Sequence, residues 1–244
     1  MNYLIVAGLL TGCLRLEQTV TIHADGSGNQ AVEITIPERV LEALQQQAIA
    51  RNPVGKAAAV TAVFERAKVE KELAAAGLVL TAHKVTEVRR GRRATLAAKF
   101  QNLEQLRKSP LGGSRADWVF SPGPIKGTIL LAYYPQGRVA FLEARKKVKE
   151  LLKKPNDPTL QGFFARQKEQ LKGLDVSVTI NLPGMVLKAY GDLKETGLEQ
   201  VKARVLGADI KTPKDLILAL APRYQVVFDG RGCKLPLERS KKTR

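Results

Sequence analysis

A chain of 244 residues with 44% apolar side chains can bury a core unaided, and two cysteines are too few for a disulfide framework; neither disorder nor a cystine-rich scaffold describes it. Lys and Arg outnumber Asp and Glu by 40 to 23, a formal charge of +17, which favours attraction to anionic lipid head groups, acidic polysaccharide or nucleic acid, the alternative being a charged surface that serves solvation alone. Beyond its first residues the chain has no run approaching the roughly 18 uninterrupted apolar positions of a membrane span.

The chain opens on an apolar run, Tyr3 to Leu10, that leads into Leu10-Thr11-Gly12-Cys13. The run has the length of a signal-peptide h-region, small Thr11 and Gly12 let the backbone enter a peptidase site, and the Cys13 thiol can take a diacylglyceryl chain. Residues 1–12 therefore read as a lipoprotein signal peptide and Cys13 as the lipidation site, giving an acyl (palmitate-type) anchor to the membrane. Met1-Asn2 brings no basic side chain to the n-region, from which we expect translation to start upstream. The competing reading makes residues 1–13 a first core strand. Lipidation of Cys13 leaves Cys233 a single thiol; without it the two could pair.

Leu14, Leu16, Val20 and Ile22 alternate with polar residues, Asp25-Gly26-Ser27-Gly28 supplies turn chemistry, and Val32, Ile34 and Ile36 alternate again, so residues 14–36 are predicted as an antiparallel hairpin. Pro37 suits the first position of a helix carrying Val40, Leu41, Leu44 and Ala48, and a second helix is predicted over 57–76, closed by Gly77. Residues 78–88 and 92–100 form a second predicted hairpin whose tip holds Arg89, Arg90, Arg92 and Arg93; guanidinium groups this close repel, and a fold tolerates them when they fan into water or meet an anion. Residues 109–125 read as an irregular excursion around Trp118, and 126–134 as a strand.

From Gly137 the pattern turns helical, with Phe141, Ala144, Val148, Leu151 and Leu152 on one side and Arg145, Lys146, Lys147, Lys149, Lys153 and Lys154 largely on the other. Pro155 and Pro158 interrupt it before a further helix to Leu171. Leu174 to Leu182 is the cleanest alternating strand and ends in Pro183-Gly184; 185–190 and 198–206 continue as strands, Thr212 caps a short helix, and Tyr224, Val226 and Phe228 close the series. The predicted fold is α+β: one domain over 13–230, a largely antiparallel sheet with helical insertions packed on one face, then a basic tail, 231–244, expected to fray. Residues 89–93, 138–172 and 231–244 carry net charges of +4, +6 and +5, which together make 15 of the 17.

Gly12-Cys13-Leu14-Arg15 passing into a strand, then Asp25-Gly26-Ser27-Gly28, and later Val178-Thr179-Ile180-Asn181-Leu182-Pro183-Gly184, resembles bacterial envelope lipoproteins of the LppM-like kind. The resemblance covers about a quarter of the chain. It implies an envelope-anchored α+β domain without an assigned enzymatic activity.

Groups for common catalysis are scarce: His23 and His83 are the only histidines, and there is no HExxH, GxSxG, CxxC or phosphate-binding GxxxxGK[ST]. Asp25, Ser27 and Asn29 have the spacing of a calcium loop's first ligands, but position twelve is Ile36, so a plain turn is favoured. We therefore expect no catalytic residues, no metal and no cofactor. The sequence reading is a non-enzymatic extracytoplasmic lipoprotein of the cell envelope, in the outer membrane if the organism has two because Leu14 rather than Asp follows Cys13. Its anion-binding residues are Arg89, Arg90, Arg92, Arg93, Arg145, Lys146, Lys147, Lys149, Lys153 and Lys154, with anionic lipid or polysaccharide as partner. Nucleic acid is disfavoured by few aromatic platforms and by export. The alternatives are a cytoplasmic polyanion- or RNA-binding protein and an envelope enzyme of unrecognised type.

Overall fold

The computed structural model describes residues 15–42, 62–89, 91–112, 115–153 and 158–238. Residues 1–12, Cys13, Arg90, Lys154, residues 43–61 of the helices expected after Pro37 and over 57–76, and the last residues of the basic tail lie outside these segments.

Strands β1 (Arg15–Ile22) and β2 (Gly28–Pro37) form the first predicted hairpin, with Leu16 opposite Ile34 and Val20 opposite Gln30. Asp25 closes its turn by accepting from the Ser27 N–H at 2.9 Å and the Ser27 hydroxyl at 2.7 Å, an Asx turn. Pro37 still pairs with Gly91 as the last residue of β2, and the helical turn begins only after it, at 38–42. A 3-10 turn, Ala62–Phe64, leads into α1 (Arg66–Ala75), and Gly77 follows in the left-handed region at φ +79°. Next come β3 (Val79–Val88) and β4 (Gly91–Phe100), the second predicted hairpin, then α2 (Leu103–Lys108).

Trp118 does not sit in an irregular excursion. It lies in β5 (Asp117–Pro122), fully buried and stacked on Tyr133 at 3.9 Å between ring centroids. Tyr133 belongs to β6 (Thr128–Tyr134), which pairs with β5; the Pro and Gly residues on either side mark the turns, and Trp118 and Phe120 supply the strand's inward face. There follow α3 (Gly137–Lys153), α4 (Pro158–Leu171), β7 (Asp175–Asn181), β8 (Val186–Tyr190), β9 (Lys194–Gly197), β10 (Gln200–Leu206), α5 (Pro213–Leu220) and β11 (Tyr224–Asp229).

The fold is α+β, as expected, with its strands divided between two sheets. One runs β3-β4-β2-β1-β7-β10-β9 and the other β5-β6-β11-β8. Every pairing is antiparallel except β1 with β7, which run parallel from Arg15 beside Asp175 to Thr21 beside Asn181. The core lies between the sheets: Val20, Ile34, Leu96 and Ile180 from the first, Trp118, Phe120, Leu131 and Phe228 from the second. Two buried glutamines reach across the core, one to the second sheet and one to the segment that follows α2. Gln18 on β1 accepts from the Tyr133 hydroxyl at 3.2 Å, and Gln30 on β2 accepts from the Ser109 hydroxyl at 2.5 Å. Each amide oxygen is thus met by a hydroxyl, while the two Nε2 groups are buried without a partner among the described residues.

The tail expected to fray is pinned as far as Glu238. The Lys234 N–H donates to the Ala24 carbonyl at 2.7 Å, Leu235 is buried, and the Glu238 N–H donates to the Phe120 carbonyl at 2.6 Å. Glu238 also bridges Arg107 at 3.5 Å and Arg138 at 3.4 Å. Cys233 is a half-buried free thiol whose pKa burial pushes up, away from reactivity.

Candidate functional site

The predicted basic helix, α3, supplies the site. Ala144, Val148 and Leu151 are its buried stripe, and the helix packs against α5. Arg145, Lys146, Lys147, Lys149 and Lys153 are all exposed, as the period of the helix requires. Two positions depart from expectation. Leu152, assigned to the apolar side, is 65% exposed, and Phe141 is half-buried rather than core.

Phe141 is instead the floor of a cleft of about 380 Å³ lined by Leu142, Arg145, Lys146, Lys149 and Arg223. Tyr134 meets its ring edge-on at 5.5 Å, the Arg223 guanidinium lies over it at 4.8 Å and that of Arg145 at 6.0 Å. Four cationic side chains converge on this cleft, and among the described residues none of them has a carboxylate within 4 Å. Like charges gathered without a carboxylate in ion-pair reach raise the local positive potential. Arg223, in the link between α5 and β11, had no sequence signal, because only the fold carries it to α3.

The described arginines at the tip of the second hairpin do not share one face. Arg92 and Arg93 are consecutive in β4, so their side chains leave opposite faces of the sheet. Arg92 donates to Glu87 Oε1 at 3.1 Å and lies 4.7 Å over the Phe64 ring. Arg93 pairs with Glu33 at 3.4 Å and donates to the Thr35 hydroxyl at 3.3 Å. Arg89 is exposed. Arg93 belongs to a charge ladder across the outer face of the large sheet, continued by Arg15 with Glu17 and by Asp175 with Arg204. Alternation along β4 was the available signal, since period two separates any two successive residues.

A second concavity of about 480 Å³ lies where β1, β7 and β10 meet, lined in part by His23, Glu199 and Pro183. Its amides satisfy one another: Gln200 Nε2 donates to Asn181 Oδ1 at 2.8 Å and Asn181 Nδ2 to the Thr21 hydroxyl at 2.9 Å. His83 faces the Val63 carbonyl at 3.1 Å. Among the described residues no group of three His, Cys, Asp or Glu side chains is placed to hold a metal ion.

No protein-family model matches the chain, and no curated protein matches it. Among solved structures, the chain is similar to the folded domain of the LppM protein of Mycobacterium tuberculosis, determined by NMR. The alignment covers 90% of this chain and 91% of that one, with 10% sequence identity and a TM-score of 0.42.

Proposed function

We propose that this protein is a lipid-anchored, extracytoplasmic lipoprotein of the cell envelope with a non-enzymatic role, and that its α3 face binds an anionic envelope component, lipid head group or acidic glycan. The observation that carries the binding half is the cleft floored by Phe141, where Arg145, Lys146, Lys149 and Arg223 converge without a carboxylate within 4 Å among the described residues. The anchoring half rests on Leu10-Thr11-Gly12-Cys13 behind its apolar run. Cys13 lies two residues before the first residue of β1, so an anchor there would hold the folded domain at the bilayer with almost no tether.

The binding half is tested on the full chain carrying Cys13→Ser, so that no acyl chain contributes. Sedimentation with phosphatidylglycerol vesicles and retention on immobilised heparin are measured at 0.1 and 0.5 M NaCl, with and without Lys146→Glu/Lys149→Glu. Each basic residue near an anionic surface contributes about 1 kcal/mol, so reversing two should weaken binding at low salt by at least about tenfold for either partner. Both partners should also release the unmodified face more readily at high salt. Binding indifferent to the reversal and to salt contradicts the proposal.

A further inference from the structure

The cationic cleft does not by itself distinguish a bilayer from a soluble polyanion; the apolar residues beside it do. Val139 and Leu142 are 70% and 63% exposed, in the first turns of α3. They begin a stripe at spacings of three and four that continues through Lys146, Lys149 and Lys153, on the side of the helix opposite Ala144, Val148 and Leu151. The outward face of one helix is thus apolar at its start and cationic along its remainder. A glycan in water gives Leu142 and Val139 nothing to bury against. The boundary between head groups and acyl chains gives both halves a partner, phosphate for the lysines and hydrocarbon for the two aliphatic side chains.

The placement of this face agrees. A small cavity of about 50 Å³ is lined at once by Leu16 near the start of β1, by Gln136 immediately before α3, and by Pro222 immediately before Arg223. The start of β1, the start of α3 and the approach to the cleft therefore border one cavity. Two residues of chain reach at most about 7 Å, so an acyl anchor on Cys13 lies within that reach of the start of β1, which neighbours the start of α3. We infer that the first turns of α3 insert Val139 and Leu142 into the interfacial region of an anionic phospholipid bilayer, while Arg145, Lys146, Lys149 and Arg223 hold head-group phosphate in the adjoining cleft. The inference rests on the anion-binding reading of α3 and narrows its partner to a membrane surface.

The test uses the full chain with Cys13→Ser and two probes, phosphatidylglycerol-containing vesicles and soluble heparin. Insertion adds an unscreened apolar contribution, so at 0.5 M NaCl heparin should dissociate while a fraction of vesicle binding persists. Val139→Ser/Leu142→Ser should remove that persistent fraction, a fall of about tenfold or more in vesicle affinity at high salt. Both positions are largely exposed, so circular dichroism and a thermal melt should match the parent and exclude misfolding. Vesicle binding at 0.5 M NaCl that is unaltered by the serine pair, or that vanishes at the same salt as heparin binding, overturns insertion. If Lys146→Glu/Lys149→Glu weakens both probes while the serine pair weakens neither, α3 remains a polyanion site and only its membrane assignment falls. If the charge reversal weakens neither probe, the anion-binding reading itself falls.

Discussion

Asp175 sits among guanidinium groups on the outer face of the large sheet. Arg204 donates to its two oxygens through Nε and Nη2 at 2.8 Å each, and Arg15 Nε lies 3.9 Å away. The hydrogen bond from Arg204 comes first, and with the charges of Arg204 and Arg15 it holds the carboxyl below the usual carboxylate range against the opposing effect of desolvation. A carboxyl whose folded pKa is depressed contributes stability that is present above its unfolded pKa, near 3.9, and lost as the pH falls through the lower folded value. Arg204 is half-exposed, so solvent screens the pair and about 0.5–1 kcal/mol is the scale to expect. Asp175→Asn should cost that much in urea unfolding at pH 7 and progressively less below about pH 4. An equal penalty at pH 7 and pH 3 would contradict the ion-pair account. The two buried glutamines make a complementary point at this scale. Gln18 and Gln30 occupy inward positions of otherwise apolar alternation, and a polar residue in such a place was a legible sign that something must reach it. What reaches it, Tyr133 in one case and Ser109 in the other, was not legible, because both partners are distant in sequence.

Helix α5 is the element against which both α3 and α4 pack, so the stability of its start bears on how firmly the cationic face is held. Thr212 accepts from the Asp215 N–H at 3.2 Å while Asp215 Oδ2 accepts from the Thr212 N–H at 2.9 Å, a complete capping box with Pro213 in the first turn. Thr212→Ala should destabilise the protein by about 1 kcal/mol in chemical denaturation, and Thr212→Ser should restore most of it. A loss well under half that value would show that α5 is held by packing alone. This cap was readable from Thr212-Pro213-Lys214-Asp215, as were both hairpins, because caps, turns and period-two alternation are local. The parallel contact of β1 with β7 was not, since alternation states which side chains face inward and leaves the neighbouring strand unspecified. Strand β5 was hidden by the Pro and Gly residues around it, and the C-terminal segment by its charge, although Leu235 buries against the first hairpin's turn at Gly26. For the site, the outward lysines of α3 follow from its helical period. The cleft does not, because Arg223 arrives from the far side of α5.

At the scale of the whole molecule, the proposed anchor at Cys13 precedes β1, whose start borders the same cavity as the start of α3 with its cationic, partly apolar face. The large sheet holds β1 in its middle, paired on one side with β2 and on the other with β7, so that a load applied at Arg15 is shared by two strands. The charge ladder outside that sheet holds Arg15, Arg93 and Arg204 in internal pairs, whereas Arg145, Lys146 and Lys149 of α3 have no carboxylate within 4 Å among the described residues. Location is the central claim of the proposal, because a partner at the envelope requires export and anchoring. The direct measurement is intact mass and detergent phase partitioning of the protein expressed in a bacterium from its full upstream region, beside Cys13→Ala. The account predicts a detergent-phase protein whose mass begins at an acylated Cys13, and an alanine variant that lacks both the acyl mass and the partitioning. An unprocessed chain beginning at or before Met1 that stays in the aqueous phase would contradict it.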